Sequence, residues 1–366
     1  MPLFQFLNLA VIIWSFALIY LDIYFFQKWR EQSNDSDRYL ILFIVSLTLS
    51  FLGRFIISGL LVNFRTKFEK LPDLPENQEL TLDDGSKLAY YTIGEPNLPT
   101  VIALHGWATD SNLWKFLMKS WRQDFRYVMI DLPGLGKSET PKRTDYSLNY
   151  YASVVAQVAD KLSIQKFTLM GHSIGGMISL TFCKEYPEWL QSRLERMILL
   201  NTTYRNPVHT SLGKNILKYI QKPVLEPLLH IQILFWPFFQ ISNWLSYLNG
   251  SAHGLVRITS FAGSETWQQL DFATRFNAYE SIAVVSVGDL AMFDYDVETY
   301  LPKIQIPTLV LGGHQDRLTQ FHASQHIASL IPKAEIAEIQ PAGHLSLVES
   351  APKIAAEINS FLAKPV

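Results

Sequence analysis

"LMGHSIGGMIS", residues 169–179, sets one serine, Ser173, between Gly171 and Gly175 at the end of an apolar run. A G-x-S-x-G pattern reads as a sharp strand-to-helix corner. Such a turn strains its central residue, and side chains two positions either way would collide with neighbouring chain. The serine would then stand proud of a sheet, with the amino end of a helix beneath it. The same five residues also occur as an ordinary glycine-rich turn, so the context decides. A serine hydroxyl is a weak nucleophile until a base takes its proton. The rest of the chain must therefore supply a base, a carboxylate and donors for a developing negative charge.

The context is a run of short apolar strands alternating with helical segments. "ELTLDDGSKLAYYTIG" predicts two strands with Asp84-Gly85 at the turn. "TVIALHG", "FRYVMIDLPG", "KFTLMGHS", "RMILLNT", "IPTLVLGG" and "AEIAEIQPAGH" predict six more. Helices are expected over 111–121, 146–163, 175–186 (closed by Pro187), 320–330 and 351–362. This alternation predicts an α/β fold, a mostly parallel central sheet with helices on both faces. In such sheets the working residues sit in loops at the carboxyl ends of strands.

Those loops hold the partners Ser173 needs. His344 in "IQPAGHLSLVES" follows the last strand and is the expected base. His172, His209, His230, His253, His314, His322 and His326 are placed less aptly, and His172 should point away from Ser173. Asp316 in "LVLGGHQDRLTQ" follows the preceding strand and would fix the imidazole's tautomer. Its alternative reading is a helix N-cap or a salt bridge to Arg317. Asp289, Asp294 and Asp296 are rivals that precede a strand instead of following one. For the oxyanion, the backbone N–H of Ile174 and that of Trp107 in "LHGWATDS" are the candidates. The Trp107 indole would line an acyl pocket or simply pack.

Over residues 79–364 the chain resembles the α/β-hydrolase superfamily, on "HGW", "DLPGLGKS", "GHSIGG", "IPTLVLGGHQDR" and "PAGH" in that order. In that resemblance Asp131, Gly134, Gly136 and Ser138 form a structural turn, and residues 204–297 form a helical cap. It implies catalytic Ser173, Asp316 and His344, with Trp107 and Ile174 at the oxyanion hole and no metal or cofactor. Haloalkane dehalogenases and epoxide hydrolases, similar elsewhere, carry aspartate where this chain has Ser173. Acyl transfer to serine is the implied chemistry, with a peracid-forming side activity open, as in cofactor-free haloperoxidases.

The chain has 366 residues, 48% hydrophobic and 17% charged, with a net charge of −2 and Cys183 as its single cysteine. These values give no sign of a nucleic-acid partner and forbid an intramolecular disulfide. Residues 3–26 and 39–62 carry one charge each, Asp22 and Arg54. A 24-residue helix at ~1.5 Å per residue is about 36 Å long, enough for a ~30 Å hydrocarbon core. Both stretches are expected to be transmembrane helices forming a hairpin. Two buried helices, or a cleaved signal peptide for the first, are the alternatives, but a basic start and a small-residue cleavage site are missing. Arg54 is expected to reach toward Arg65 and Lys67. Trp29, Tyr24 and Tyr39 flank the loop as interfacial aromatics would. Lys28, Arg30 and Arg38 in the loop balance Arg65, Lys67 and Lys70 after the second span, so orientation is not readable. The lone cysteine fits a cytoplasmic catalytic domain.

The expected division is therefore a hairpin over 1–62, a linker over 63–78, a core over 79–203 and 298–366, and a cap over 204–297. Residues 224–248 would pass for a third span. Pro227 and Pro237 interrupt that run, and a third crossing would separate Ser173 from Asp316 and His344. An apolar cap beside a membrane anchor predicts a lipid-like ester, such as an acylglycerol or a lysophospholipid. An amide, thioester or carbon–carbon bond, acyl transfer to an alcohol, and a non-catalytic membrane scaffold remain as alternatives.

Overall fold

A computed structural model of the chain describes residues 2–31, 35–62 and 69–365. Arg65, Lys67 and the linker segment 63–68 lie outside the described residues. Two helices open the chain, α1 (Pro2–Arg30) and α2 (Ser36–Leu61), both long and apolar enough to cross a membrane. They are longer than the sequence suggests, extending toward the loop that joins them.

Eight strands form one sheet: β1 (Gln78–Thr81), β2 (Lys87–Ile93), β3 (Thr100–Leu104), β4 (Arg126–Ile130), β5 (Phe167–His172), β6 (Leu194–Leu200), β7 (Thr308–Gly313) and β8 (Ala334–Ile339). Their order is β1-β2-β4-β3-β5-β6-β7-β8, antiparallel at β1-β2 and β2-β4 and parallel beyond. Alternation along each strand divides the core. Ile102, Leu104, Val128 and Leu199 face one side, and Val101, Ala103, Met129 and Leu200 the other. Helices α3 (Leu148–Lys161) and α4 (Ile174–Glu185) cover the first face. The expected helix over 111–121 is instead a 3₁₀ turn at Ser111–Trp114 and one α-turn at Lys115–Met118, packed on the second face. Asp110 caps it by accepting from Asn112 N–H. From β3 the sheet runs to β4 on one side and β5 on the other. That reversal opens a crevice at the strands' carboxyl ends.

Between β6 and β7 lies a helical insertion: α5 (Lys214–Ile220), α6 (Glu226–Leu234), α7 (Trp236–Asn249), α8 (Ser251–Ser260), α9 (Trp267–Tyr279) and α10 (Ile282–Met292). Pro227 and Pro237 occupy first turns, where the missing N–H costs nothing. The chain bends by 98° between α6 and α7, so residues 224–248 do not form one straight span. Ile231, Leu234, Phe235, Trp236, Phe238, Ile241 and Trp244 stay exposed on these helices. The core resumes with α11 (Phe321–Leu330) and α12 (Ala351–Leu362).

The helical hairpin packs on this insertion. On α1 the buried residues are Gln5, Asn8, Val11, Ile12, Ser15, Leu18 and Asp22, spaced by threes and fours along one face. Three polar members of that stripe, Gln5, Ser15 and Asp22, find partners. Gln5 Nε2 donates to Asp289 Oδ2 (2.7 Å), Gln232 Nε2 to Gln5 Oε1 (3.3 Å), Asn249 Nδ2 to Ser15 Oγ (2.9 Å) and Ser50 Oγ to Asp22 Oδ2 (2.7 Å). Phe16 stacks on Phe238 with centroids 4.5 Å apart. Arg54 does not reach along the helix toward its end. Its guanidinium lies over the rings of Tyr247 (4.8 Å) and Phe55 (4.7 Å). A cation over an aromatic face is a cheaper resting place in an apolar setting than an unpartnered one.

α2 approaches α7 at Gly53, where a Cβ would collide with the Asn249 carbonyl. Gly53→Ala should therefore wedge the hairpin from the insertion at a cost of about 1–3 kcal/mol. A lower Tm and faster proteolysis within the insertion are the expected readouts.

Candidate active site

The corner after β5 is built as the glycine pattern requires. Ser173 has φ 55° and ψ −117°, a region non-glycine residues rarely occupy. Holding it there costs on the order of 1–3 kcal/mol. The surroundings impose it: Ser173 N–H donates to Leu200 O (2.9 Å), and Ser173 O accepts from Gly176 N–H (2.9 Å) and Thr202 Oγ1 (2.6 Å). A Cβ at Gly171 would strike the Gly175 backbone, and one at Gly175 would strike Leu104 O. These glycines let α4 sit directly against β5 and β3.

The loops bring Ser173, His344 and Asp316 together. Ser173 Oγ lies 3.0 Å from His344 Nε2, and His344 Nδ1 lies 2.8 Å from Asp316 Oδ2. Asp316 Oδ1 accepts from the N–H groups of Leu318 (2.8 Å) and Thr319 (2.9 Å). Its Oδ2 also accepts from Thr319 Oγ1 (2.8 Å) and Asn201 Nδ2 (2.9 Å). Burial works to raise the Asp316 pKa, but the pull of His344 and these hydrogen bonds hold it below the usual carboxylate value. An ionised Asp316 makes Nδ1 of His344 the donor and leaves Nε2 free to accept the Ser173 proton.

Asn201 and Thr319 escaped the sequence reading. Asn201 sits at φ 45° just after β6, and its Oδ1 accepts from Ser346 Oγ while Nδ2 bonds Asp316 and Gly343 O. It joins the Asp316 loop to the His344 loop. An asparagine directly after a β6-like run is the only signal the sequence offered.

The loop after β3 is set by His105. Its Nε2 accepts from Leu132 N–H (2.9 Å), so Nδ1 carries the proton and donates to Gly106 O (2.8 Å). Thr109 Oγ1 donates to the same carbonyl (2.8 Å). Carbonyl and N–H of one trans peptide point opposite ways. Fixing Gly106 O therefore turns the Trp107 N–H the opposite way, and Gly106, Trp107 and Ser173 all line one cavity. Ile174 is the first residue of α4, where the backbone N–H has no intrahelical acceptor. The Trp107 ring both lines the cavity and packs. Its Nε1 donates to Val285 O (3.0 Å), and it lies so close to Gly288 that a Cβ there would collide with it.

His172 points away from the Ser173 hydroxyl. Its Nε2 donates to His344 O (3.0 Å), tying β5 to the His344 loop. Burial, then His344, pushes its pKa down to about 3, so it remains neutral. The other histidines lie elsewhere: His253 on Asp271, His314 on Glu338, His326 on Glu298 and His322 beside Lys214. Asp289 meets Gln5 and Asp296 meets Arg205. Asp131, Gly134, Gly136 and Ser138 form a closed turn: Asp131 accepts from the N–H groups of Ser111 and Lys137 (both 2.9 Å), and Ser138 Oγ donates to Asp131 O (2.6 Å).

The strand order and the helices on both faces give the chain the α/β-hydrolase fold. The family model described as alpha/beta hydrolase fold matches residues 99–224. A putative carbamate hydrolase, RutD of Pseudomonas savastanoi pv. phaseolicola, is 26% identical over 258 residues, 68% of this chain and 87% of that protein. An esterase from Exiguobacterium antarcticum superposes with a TM-score of 0.64 at 22% identity, over 79% of this chain and all of the esterase. A bacterial membrane phospholipase A does so with a TM-score of 0.61 at 22% identity, covering 88% of this chain and 95% of its own.

Two outcomes are expected. Asp316→Asn removes the acceptor that fixes the imidazole, and should slow fluorophosphonate labelling of Ser173 on the order of 10³–10⁴-fold. Glu280, which lines the same cavity, has its pKa raised to about 8 by burial and by Asp110 and Asp131. Its folded form keeps a proton the unfolded chain has released. That contribution to stability is full below about pH 4.5 and is lost as pH rises through about 8. Calorimetry should show Tm falling across this window, with a flatter profile for Glu280→Gln.

Proposed function

We propose that this chain is a serine hydrolase that cleaves carboxylic esters through an acyl-enzyme, held at a membrane by the α1–α2 hairpin. The observation that carries the reading is the relay from Ser173 Oγ to His344 Nε2 at 3.0 Å and from His344 Nδ1 to Asp316 at 2.8 Å. His344 takes the Ser173 proton as Oγ attacks the ester carbonyl. The N–H groups of Trp107 and Ile174 stabilise the oxyanion. When the C–O bond breaks, His344 gives its proton to the departing alcohol. Water then enters, His344 takes one of its protons, and hydrolysis of the acyl-enzyme releases the acid and restores Ser173.

In this reading residues 204–297 act as a cap on a core of 79–203 and 298–366, and 63–78 links the core to the 1–62 hairpin. The exposed apolar face of α6 and α7 adjoins α1 through the Phe16–Phe238 stack, which favours a substrate drawn from lipid. Acylglycerols and lysophospholipids both meet that description. The carbamate hydrolase relatives support a second reading, cleavage at a carbamate carbonyl by the same residues.

The test is hydrolysis of p-nitrophenyl esters from C2 to C16 by the detergent-solubilised chain, with a p-nitrophenyl carbamate alongside. Ester turnover that rises with chain length and vanishes in Ser173→Ala is the expected result. Turnover confined to short chains would remove the lipid substrate but keep the esterase. Turnover of the carbamate alone would favour the second reading.

A further inference from the structure

The cavity beside Ser173 measures about 110 Å³, room for several water-sized groups at roughly 10–15 Å³ each. Most of its wall is apolar, yet three asparagines from three helices meet on it: Asn8 of α1, Asn243 of α7 and Asn277 of α9. Asn8 is 6% exposed and Asn243 7%. Neither side-chain amide, nor that of Asn277, has a hydrogen-bond partner among the described residues. Buried residues such as Asn8 and Asn243 normally have their amides satisfied, because an unpaired one forfeits its hydration without return, whereas Asn277 is half-buried. The nearby polar groups are already engaged: Gln5 holds Asp289, and Ser246 Oγ donates to Asn243 O. These three amides are left open to whatever occupies the cavity.

The charge balance of the wall narrows the occupant. No lysine or arginine lines the cavity among the described residues, and Glu280 is its only carboxyl. Burial and two neighbouring aspartates push Glu280 up to about 8, so near neutral pH it stands as an uncharged donor. A phosphate or carboxylate headgroup would find no cation here. An asparagine amide offers both donors and an acceptor. Three of them suit groups that donate and accept at once.

We infer that Asn8, Asn243 and Asn277 form a subsite for the uncharged, hydroxyl- or amide-bearing end of the ester substrate, with the first apolar helix supplying part of the binding wall. The inference rests on the esterase reading and narrows it, favouring polyol-type esters over those with a charged headgroup. Asn8 acquires a reason for its place on the polar stripe of α1, and the α1 contacts at Gln5 and Ser15 hold it at the cavity.

The experiment uses the full chain in phosphatidylcholine nanodiscs and three substrates sharing one acyl group: 1-monohexanoylglycerol, ethyl hexanoate and 1-hexanoyl-glycerophosphocholine. The glycerol ester should exceed the other two in kcat/KM by at least about tenfold. Asn8→Leu, Asn243→Leu and Asn277→Leu should each erase much of the gap to ethyl hexanoate, since a site built to bond hydroxyls rejects analogues lacking them. Equal rates for glycerol and ethyl esters, or preference for the phosphocholine ester, would overturn the subsite. So would an unchanged ratio in all three variants. If the wild type cleaves none of the esters, the esterase reading fails by itself. Binding of the ether 1-O-hexylglycerol then decides the subsite: a Kd weakened about tenfold in the leucine variants supports it, and a Kd unchanged in all of them overturns it.

Discussion

Everything at this site depends on how closely α4 approaches β5 and β3. Gly171 and Gly175 leave no room for side chains between helix and strand, and that contact forces Ser173 into its left-handed corner. The strain is offset by bonds from Ser173's own backbone to Leu200, Gly176 and Thr202. One consequence is direction. The hydroxyl leaves the sheet at the crevice where β3 and β5 diverge, the point reached by the loops after β3, β7 and β8. A looser corner would lower the strain but let Ser173 swing out of reach of His344.

Much of this was readable in the residues because the physics was local. Alternating apolar strands and helices dictate a doubly covered sheet, and all eight strands fall where the apolar runs place them. Ser173, Asp316 and His344 stand in loops that the strand pattern locates. What the sequence hid was long-range. Asn201 bonds Asp316 and Gly343 across more than a hundred residues, and nothing near it in the chain announces that. The segment 111–121 carried a helical pattern, but Asp110 and the Asp131 carboxylate organise its start as a 3₁₀ turn.

The hairpin teaches a different lesson. The apolar composition of residues 3–26 and 39–62 predicts two spans, and the sequence reading weighed only their charges, Asp22 and Arg54. The polar residues form a pattern: Gln5, Asn8, Ser15 and Asp22 lie on one face of α1, the arrangement expected when a helix hides its polar groups against protein instead of lipid. Periodicity of the polar residues, not of the apolar ones, was the signal. Gly53 and Arg54 repeat it on α2, one by admitting α7 closely and the other by lying over Tyr247.

This changes what the hairpin does in the proposed reading. A tether need only be apolar, and its sequence could drift as long as hydropathy held. A helix that presents Asn8 to the cavity beside Ser173 and fixes its own register through Gln5–Asp289 and Ser15–Asn249 is bound by the geometry of the site. Each of those polar side chains would be costly in hydrocarbon, so the insertion and α1 are held together by the penalty for parting. In the proposed reading, membrane attachment and the shape of the substrate cavity are set by the same contacts. An ester arriving between α1 and the insertion would meet the nucleophile without crossing bulk water.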